Sequence, residues 1–173
     1  FAAAPVVRVL REAQERGDCR YIGISGNSAP EMARVLAALD VDTCLIAFSY
    51  DLIWRGARAQ VLPLAQDKGT ALILGAIFQY GRFTQVRRDW LAEPPEWMTD
   101  DVRDRFVRLY AIQAESAMSL VELTVRFLLA DPGFATMLIG AATPAQLEES
   151  VAAARLGPLP DDLQAQIEAL GIG

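Results

Sequence analysis

Four short apolar segments, each followed by an amphipathic helical pattern, limit the possible folds of this sequence more than any other feature. The predicted strands are CRYIGIS (19–25), DTCLIAFSY (42–50), TALILGAIF (70–78) and FATMLIGAA (134–142). Strands that are apolar on both faces are typical of parallel sheets covered by helices. The sequence therefore predicts an α/β fold, either a doubly wound open sheet or a (β/α) barrel.

Helical patterns fill most of the sequence between these strands. The predicted helices cover residues 5–17, 29–40, 57–69, 100–116, 119–131, 143–155 and 161–171, and residues 79–98 are predicted to be irregular. The near-equal helices and short connections of residues 19–78 suit a barrel wall. A complete eight-stranded barrel needs about 250 residues, whereas this chain has 173. We therefore predict a single domain, residues 1–173, whose four predicted strands amount to half of the eight strands of a barrel.

Composition excludes several classes of function. The net charge of −6 argues against non-specific binding to nucleic acid, and no apolar run approaches the length of a membrane span. Two cysteines without a CxxC motif favour a reducing, cytoplasmic compartment. The sequence has no histidine, which excludes any mechanism carried by a histidine of this chain. Asp100, Asp101 and Asp104 fit the first turn of a helix, so no metal site is predicted.

Small and polar residues follow each predicted strand, at the edge where parallel α/β folds bind their ligands. Ordinary turns use the same residue types, so each turn alone has a purely structural explanation. The last turn, GAATPAQLEES (140–150), is more informative. It places small residues directly before a helix start, where free N–H groups and the helix dipole favour an anion such as phosphate.

Three stretches of the sequence resemble segments of the aldo-keto reductases. RYIGISGNS resembles the family strand GKxRxIGVSN, and AFSYDLI followed by VLPLAQDKG resembles the unit QxxYNLL…vlpxcxexG. The most specific stretch is SLVELTVRFLLADPGFATMLIGAATPAQLEESVAAA, which is similar to slaxlalrwlLxdpxvxsxipGatxpxqlxeNv. The similarity runs from about residue 5 to the C-terminus. GAIFQYGRF and EPPEWMT resemble the branch of the aldose and L-galactose dehydrogenases.

This resemblance implies a (β/α)8 TIM barrel of which the chain supplies the second half, strands five to eight. It implies an oxidoreductase that transfers hydride between NADP or NAD and a small carbonyl or sugar substrate. The family's catalytic tyrosine, lysine, aspartate and histidine lie on its first four strands. We therefore expect the catalytic residues to precede Phe1, and none within this chain.

The resemblance also assigns residues to the nicotinamide end of the cofactor. Ser25 matches the serine that binds the nicotinamide amide, and Asn27 stands one residue beyond the family's usual asparagine position. Gly75 falls where an aromatic residue often stacks on the nicotinamide. We expect Phe78 or Tyr50 to cover the face that this glycine leaves open.

The adenosine phosphate end is assigned to the loop and helix that follow the fourth strand. The loop has no lysine, which favours NAD(H) over NADP(H). The matching residues are Gly140, Ala141, Thr143, Gln146, Glu149 and Ser150.

Two classes of function follow. The first is an oxidoreductase whose other half lies outside these residues. The second is a non-catalytic half-barrel that binds a nucleotide or a partner protein. A half-barrel alone exposes two sheet edges and its inner face. We therefore expect it to associate with the missing N-terminal half or with a second copy of itself.

Overall fold

A computed structural model describes residues 4–172 as an α/β fold built on one parallel sheet. The strands lie in the order β1-β2-β3-β4, and every neighbouring pair is parallel. The prediction of four adjacent parallel strands is confirmed. Their bounds are β1 Gly23–Gly26, β2 Thr43–Ala47, β3 Ala71–Gly75 and β4 Thr136–Met137.

All seven predicted helices are present, and the helix over residues 100–116 has the predicted bounds. An eighth, short helix, Arg88–Ala92, lies within residues 79–98, which were predicted to be irregular. Side-chain hydroxyls cap four of the helices: Ser28, Thr99, Ser119 and Thr143 each accept a hydrogen bond from a first-turn N–H. The helices are α1 Pro5–Glu15, α2 Ala29–Ala38, α3 Leu62–Lys68, α4 Arg88–Ala92, α5 Asp100–Ser116, α6 Leu120–Leu129, α7 Pro144–Arg155 and α8 Asp161–Glu168.

The strand order bears on the choice between the two predicted architectures. A doubly wound sheet reverses its strand order at a switch point, and the sheet of residues 4–172 has no such reversal. Right-handed crossovers between successive neighbours carry the connecting helices to the same face of the sheet. The order therefore agrees with the barrel interpretation.

Burial alternates along the strands, so the two faces of the sheet differ. Cys44, Ile46, Leu72 and Leu74 are buried on the face that the helices cover. We call the other side the open face, because its side chains are only partly covered within the described residues. The open face consists of Gly23, Ser25, Thr43, Leu45, Ala47, Ala71 and Ile73.

Two elements differ from the sequence prediction for physical reasons. The predicted helix over 57–69 begins with a π-helical turn, Ala57–Val61, in which the Leu62 N–H bonds the Ala57 carbonyl. Pro63 has no N–H to donate, so the regular pattern of bonds cannot run through it. The fourth strand has two residues rather than nine, because its ladder with β3 is limited to two pairs, Ile73 with Thr136 and Leu74 with Met137.

The C-terminal segment is held against the loop that follows β2. The Arg55 N–H donates to the Ile172 carbonyl, and the Ile172 N–H donates to the Ile53 carbonyl, both at 2.7 Å. The buried Arg55 guanidinium also donates to carbonyls of Asp51, Leu52 and Ile167. Distant parts of the sequence therefore meet beside the carboxyl end of β2. No helix within residues 4–172 has the length and apolar character needed to cross a membrane.

Candidate functional site

A cavity of about 410 Å³ lies between the segments that follow β3 and β4 and the start of α7. Four residues predicted from the sequence for the adenosine phosphate end line it together: Gly140, Gln146, Glu149 and Ser150. The rest of the lining consists of Phe78, Gly81, Thr84, Gln85, Val121 and Ala142. We call this cavity the α7 cavity. It lies at the carboxyl ends of the strands, the edge at which parallel α/β folds commonly bind ligands.

The start of α7 gives the cavity its polar character. Thr143 caps the helix by accepting a hydrogen bond from the Gln146 N–H at 3.3 Å. The Gln146 side-chain oxygen accepts a hydrogen bond from the Ala142 N–H at 2.8 Å. A Cβ added to Gly140 would meet no heavy atom within 4 Å. Open space at a glycine shortly before a helix start leaves room for a phosphate group to approach the backbone.

The next turn of α7 connects the cavity to α6. One oxygen of the exposed Glu149 carboxylate accepts a hydrogen bond of 2.7 Å from the Ser119 hydroxyl at the start of α6. The hydroxyl of the buried Ser150 donates to the Gln146 carbonyl at 3.0 Å. These contacts fix where the side chains of α7 stand at the rim of the cavity.

The residues predicted for the nicotinamide end do not line the α7 cavity. Ser25 is exposed on the open face, where β1 pairs it with Leu45. Asn27 lines a second cavity, of about 370 Å³, beside the carboxyl ends of β1 and β2. Gly26 stands where the family has asparagine, and a Cβ there would overlap the Met32 sulfur. The packing of α2 on β1 therefore explains the glycine.

The expectation that Tyr50 covers the space beside Gly75 is wrong. Tyr50 is buried, donates a hydrogen bond of 2.9 Å to Asp131, and stacks on Phe134. Burial and the neighbouring Asp131 carboxylate raise the pKa of its hydroxyl. Phe78, the other candidate, lines the α7 cavity.

An aromatic pair at the carboxyl ends of β2 and β3 was missed by the sequence analysis. The rings of Phe48 and Tyr80 stack with centroids 4.4 Å apart, and Tyr80 is 83% exposed. Both residues have left-handed backbone conformations, with φ of 57° and 55°. Such conformations cost roughly 1–3 kcal/mol each and persist only where the surroundings hold them.

A buried carboxylate holds these loops in place. Asp51 accepts hydrogen bonds from the N–H groups of Ile53 and Trp54 and from the Gln79 side chain. The same Gln79 amide group donates to the Phe48 carbonyl at 2.8 Å. Burial raises the pKa of Asp51 to about 6. The sequence signal for this network is the ability of an aspartate to bond N–H groups two and three residues further on.

Three basic side chains outside the α7 cavity, those of Lys68, Arg82 and Arg87, are engaged by other protein groups. Lys68 binds Asp40 at 3.0 Å, and Arg87 binds Asp89 at 2.6 Å. The Arg82 guanidinium lies 3.8 Å from the ring centroid of Trp97. Among residues 4–172, no three acidic or sulfur-bearing side chains converge in a way that would hold a metal ion.

No tyrosine lies beside a lysine in the way that the family's catalytic site requires. Lys68 is the only lysine of the sequence, and it donates to the Ala37 and Leu39 carbonyls at the end of α2. The Tyr110 hydroxyl accepts a hydrogen bond from the Arg87 N–H.

Comparison with known proteins settles the family. The family model described as Aldo/keto reductase family matches residues 3–172. The chain belongs to this family. Aldo/keto reductase relatives include a D-threo-aldose 1-dehydrogenase of Pseudomonas sp, which is 26% identical over 169 residues. That alignment covers 96% of this chain and 51% of the relative.

Two further relatives in this family are also named as dehydrogenases. A pyridoxal 4-dehydrogenase of Microbacterium luteolum is 28% identical over 83% of this chain and 42% of its own length. The L-galactose dehydrogenase of Arabidopsis thaliana is 23% identical over 85% of this chain and 46% of its own length. The chain therefore spans about half the length of these relatives.

Proposed function

We propose that these residues form the cofactor-binding half of a nicotinamide-dependent aldo-keto reductase. In this proposal the four strands are strands five to eight of a closed barrel, and the catalytic tetrad lies outside residues 1–173. The complete enzyme moves a hydride between NADP or NAD and the carbonyl carbon of a small carbonyl compound or an aldose. The free cysteines, Cys19 and Cys44, support a cytoplasmic location.

The observation that carries this proposal is the α7 cavity. It is lined by four residues of the predicted segment 140–150, which include a helix start and a glycine with open space around it, together with residues of the segment that follows β3. We assign the adenosine phosphate end of the cofactor to Gly140, Ala141 and Thr143, with Gln146, Glu149 and Ser150 facing the adenosine. Ser25, Asn27 and Gly75 are proposed for the nicotinamide end.

Two features of the α7 cavity bear on cofactor choice and on binding. The loop 140–143 has no lysine, which favours NAD(H), because a 2′-phosphate would find no cation there. In the structure the Ala142 N–H already donates its hydrogen bond to the Gln146 side-chain oxygen. A phosphate that takes this N–H must displace the side-chain oxygen, so Gln146 is expected to turn when the cofactor binds.

Calorimetric titration of NAD(H) and NADP(H) into the full-length enzyme tests the assignment. Gly140→Val is expected to weaken binding at least tenfold, because its methyl groups occupy the space proposed for phosphate. The fold should tolerate it, since a Cβ there meets nothing within 4 Å. Ala154→Val is the matched control, because it also places a valine with two methyl groups, here at the exposed far end of α7. Unchanged binding by Gly140→Val would show that the phosphate does not lie there.

A second variant tests the adenosine contact. Glu149→Ala should weaken binding by ~1.5–3 kcal/mol, the range for a hydrogen bond to a charged group. Because Glu149 also accepts a hydrogen bond from Ser119, Ser119→Gly is the control that removes this contact and leaves the carboxylate. Glycine is tolerated at a helix N-cap at a cost of a few tenths of a kcal/mol, roughly. Equal losses in both variants would contradict a direct contact with the cofactor.

Turnover by the full-length enzyme separates the enzyme from a non-catalytic binding module. The assays use NAD(P)H with a panel of aldehydes and NAD(P)⁺ with a panel of aldoses. We expect turnover by the full-length protein and none by residues 1–173 alone. Turnover by residues 1–173 that is lost when one of their four tyrosines is changed to Phe would place the catalytic site within this chain.

A further inference from the structure

Four residues other than glycine have left-handed backbone conformations where β2 and β3 end. They are Phe48, Ala76, Gln79 and Tyr80, with φ between 50° and 57°. Such conformations are costly for a residue with a Cβ, and they cluster at functional sites, where the surrounding structure holds them. The contacts that hold these two strand ends therefore indicate what their conformation serves.

The Gln79 side chain joins the two strand ends. It is buried, and its Nε2 donates to the Phe48 carbonyl at 2.8 Å and to the Asp51 carboxylate at 2.6 Å. Asp51 is fixed in turn by the N–H groups of Ile53 and Trp54. An amide nitrogen has two hydrogen atoms to donate, and here both have an acceptor. Any other orientation of the Gln79 amide loses at least one of these bonds.

Residues on both sides of the pair Gln79-Tyr80 line the α7 cavity, although the pair itself does not. Phe78 directly precedes the pair and Gly81 directly follows it, and the Gly81 N–H donates to the Phe78 carbonyl at 2.9 Å. A change of the Gln79 backbone to a right-handed conformation would move Phe78 relative to Gly81. Gln79 therefore controls the shape of the cavity from outside it.

Asp51 is a costly partner for Gln79. Burial raises the pKa of Asp51 to about 6, so at pH 7 the protein interior holds an ionised carboxylate. Asparagine would accept the bonds from the N–H groups of Ile53 and Trp54 without this cost, but its NH2 group would face that of Gln79. A feature that lowers stability is expected where function requires it. The carboxylate is therefore explained by the bond that it accepts from Gln79.

We propose that Gln79, anchored on Asp51, is a positioning residue for the nicotinamide cofactor. It holds the segment 76–81 in the conformation in which Phe78 and Gly81 form one wall of the α7 cavity. This inference rests on the proposed function and adds two residues that do not line that cavity. Because they act through the cavity wall, their loss should weaken cofactor binding without slowing the chemical step.

Asp51→Asn in the full-length enzyme separates this role from a purely structural one. At pH 7 the variant is expected to be more stable than wild type in urea, because it no longer buries a charge. It should nevertheless bind NAD(H) and NADP(H) roughly fivefold more weakly in calorimetric titration, the effect of one lost hydrogen bond. A purely structural residue would not give higher stability together with weaker binding.

Two further variants test Gln79 itself. Gln79→Met removes both donors and keeps the length of the side chain. The KM for the more tightly bound cofactor should rise roughly fivefold or more, and kcat at saturating cofactor should stay within about twofold of wild type. The double variant Asp51→Asn/Gln79→Glu places a donor opposite an acceptor again. It should bind the cofactor more tightly than Gln79→Glu alone, in which two carboxylates meet.

Controls keep the outcomes distinct. Asp104→Asn and Gln66→Met change exposed positions of α5 and α3 and should bind the cofactor as wild type does. Wild-type binding by Asp51→Asn or by a folded Gln79→Met would overturn the positioning role and leave the proposed function intact. If wild type binds neither NAD(H) nor NADP(H), the proposed function and this inference are both wrong. If Gln79→Met does not fold, Asp51→Asn and the double variant decide.

Discussion

Replacing Asp51 with asparagine removes a charge from the protein interior without changing the size of the side chain. Asparagine retains an oxygen that accepts from the N–H groups of Ile53 and Trp54. In the wild type, the Gln79 NH2 group donates to the Asp51 carboxylate at 2.6 Å. In the variant it faces the NH2 group of the asparagine, and two donors cannot bond each other. If Gln79 turns its amide, it loses its bond to the Phe48 carbonyl. Asp51→Asn therefore loses about one hydrogen bond, worth about 1 kcal/mol.

Removal of the charge has the opposite effect on stability and favours the variant. Burial raises the pKa of Asp51 from 3.8 to about 6, so the folded protein holds this proton where the unfolded chain has released it. The contribution of Asp51 to the free energy of unfolding is therefore greatest below about pH 4 and falls as the pH rises to about 6. The fall is ~3 kcal/mol at 1.36 kcal/mol per pKa unit. Asparagine does not titrate, so the free energy of unfolding of the variant does not show this fall.

We expect Asp51→Asn to be about 1 kcal/mol less stable than wild type at about pH 4 and roughly 2 kcal/mol more stable at about pH 7. Urea unfolding followed by tryptophan fluorescence, at pH steps between these limits, measures the difference. Asp104→Asn, at an exposed position of α5, is the matched control and should track wild type. A stability difference between wild type and Asp51→Asn that does not change with pH would refute the reasoning.

Three further predictions concern single residues. Tyr50→Phe should lower the free energy of unfolding by ~1.5–3 kcal/mol, because it removes a hydrogen bond to the Asp131 carboxylate; a loss below half a kcal/mol in thermal unfolding would contradict this. Gly69→Ala should cost about 1 kcal/mol, because φ at this helix end is 66°, and a stability equal to wild type in urea would overturn it. Cys19 should be alkylated by iodoacetamide before Cys44, whose pKa is raised to about 11 by burial; mass spectrometry showing the reverse order would be decisive against it.

The sequence predicted the sheet well because apolar strands and capped helices are local signals. The cap at Ser28 and the full span of α5 follow from residues within a few positions of each other. The fourth strand was predicted too long because pairing depends on a neighbour, which local hydrophobicity does not report. The π-helical turn directly before Pro63 was not predicted, although a proline inside a helix is a local sign of an interrupted hydrogen-bond pattern.

The candidate site could be predicted only in part. Gly140, Gln146, Glu149 and Ser150 were found together because they lie on one short segment, whose geometry a helix start determines. The second cavity, beside the carboxyl ends of β1 and β2, joins residues 27, 48 and 60 with Ile172, and no local pattern indicates that those segments meet. The burial of Tyr50 was missed for the same reason, since its partner Asp131 is distant in the sequence.

The pairing of Ile172 with Trp54 has a consequence for how this protein is made. A chain that leaves the ribosome from its N-terminus can form β1, β2 and β3 in turn, since each strand pairs with the one synthesised before it. The loop after β2 must wait, because the backbone partner of Ile53 and Arg55 is Ile172, which is translated more than 100 residues later. Until then Arg55 lacks its acceptor at Ile167. The second cavity, which Ile172 lines, is therefore a late product of folding, and a ribosome stalled before residue 167 would carry a sheet without it.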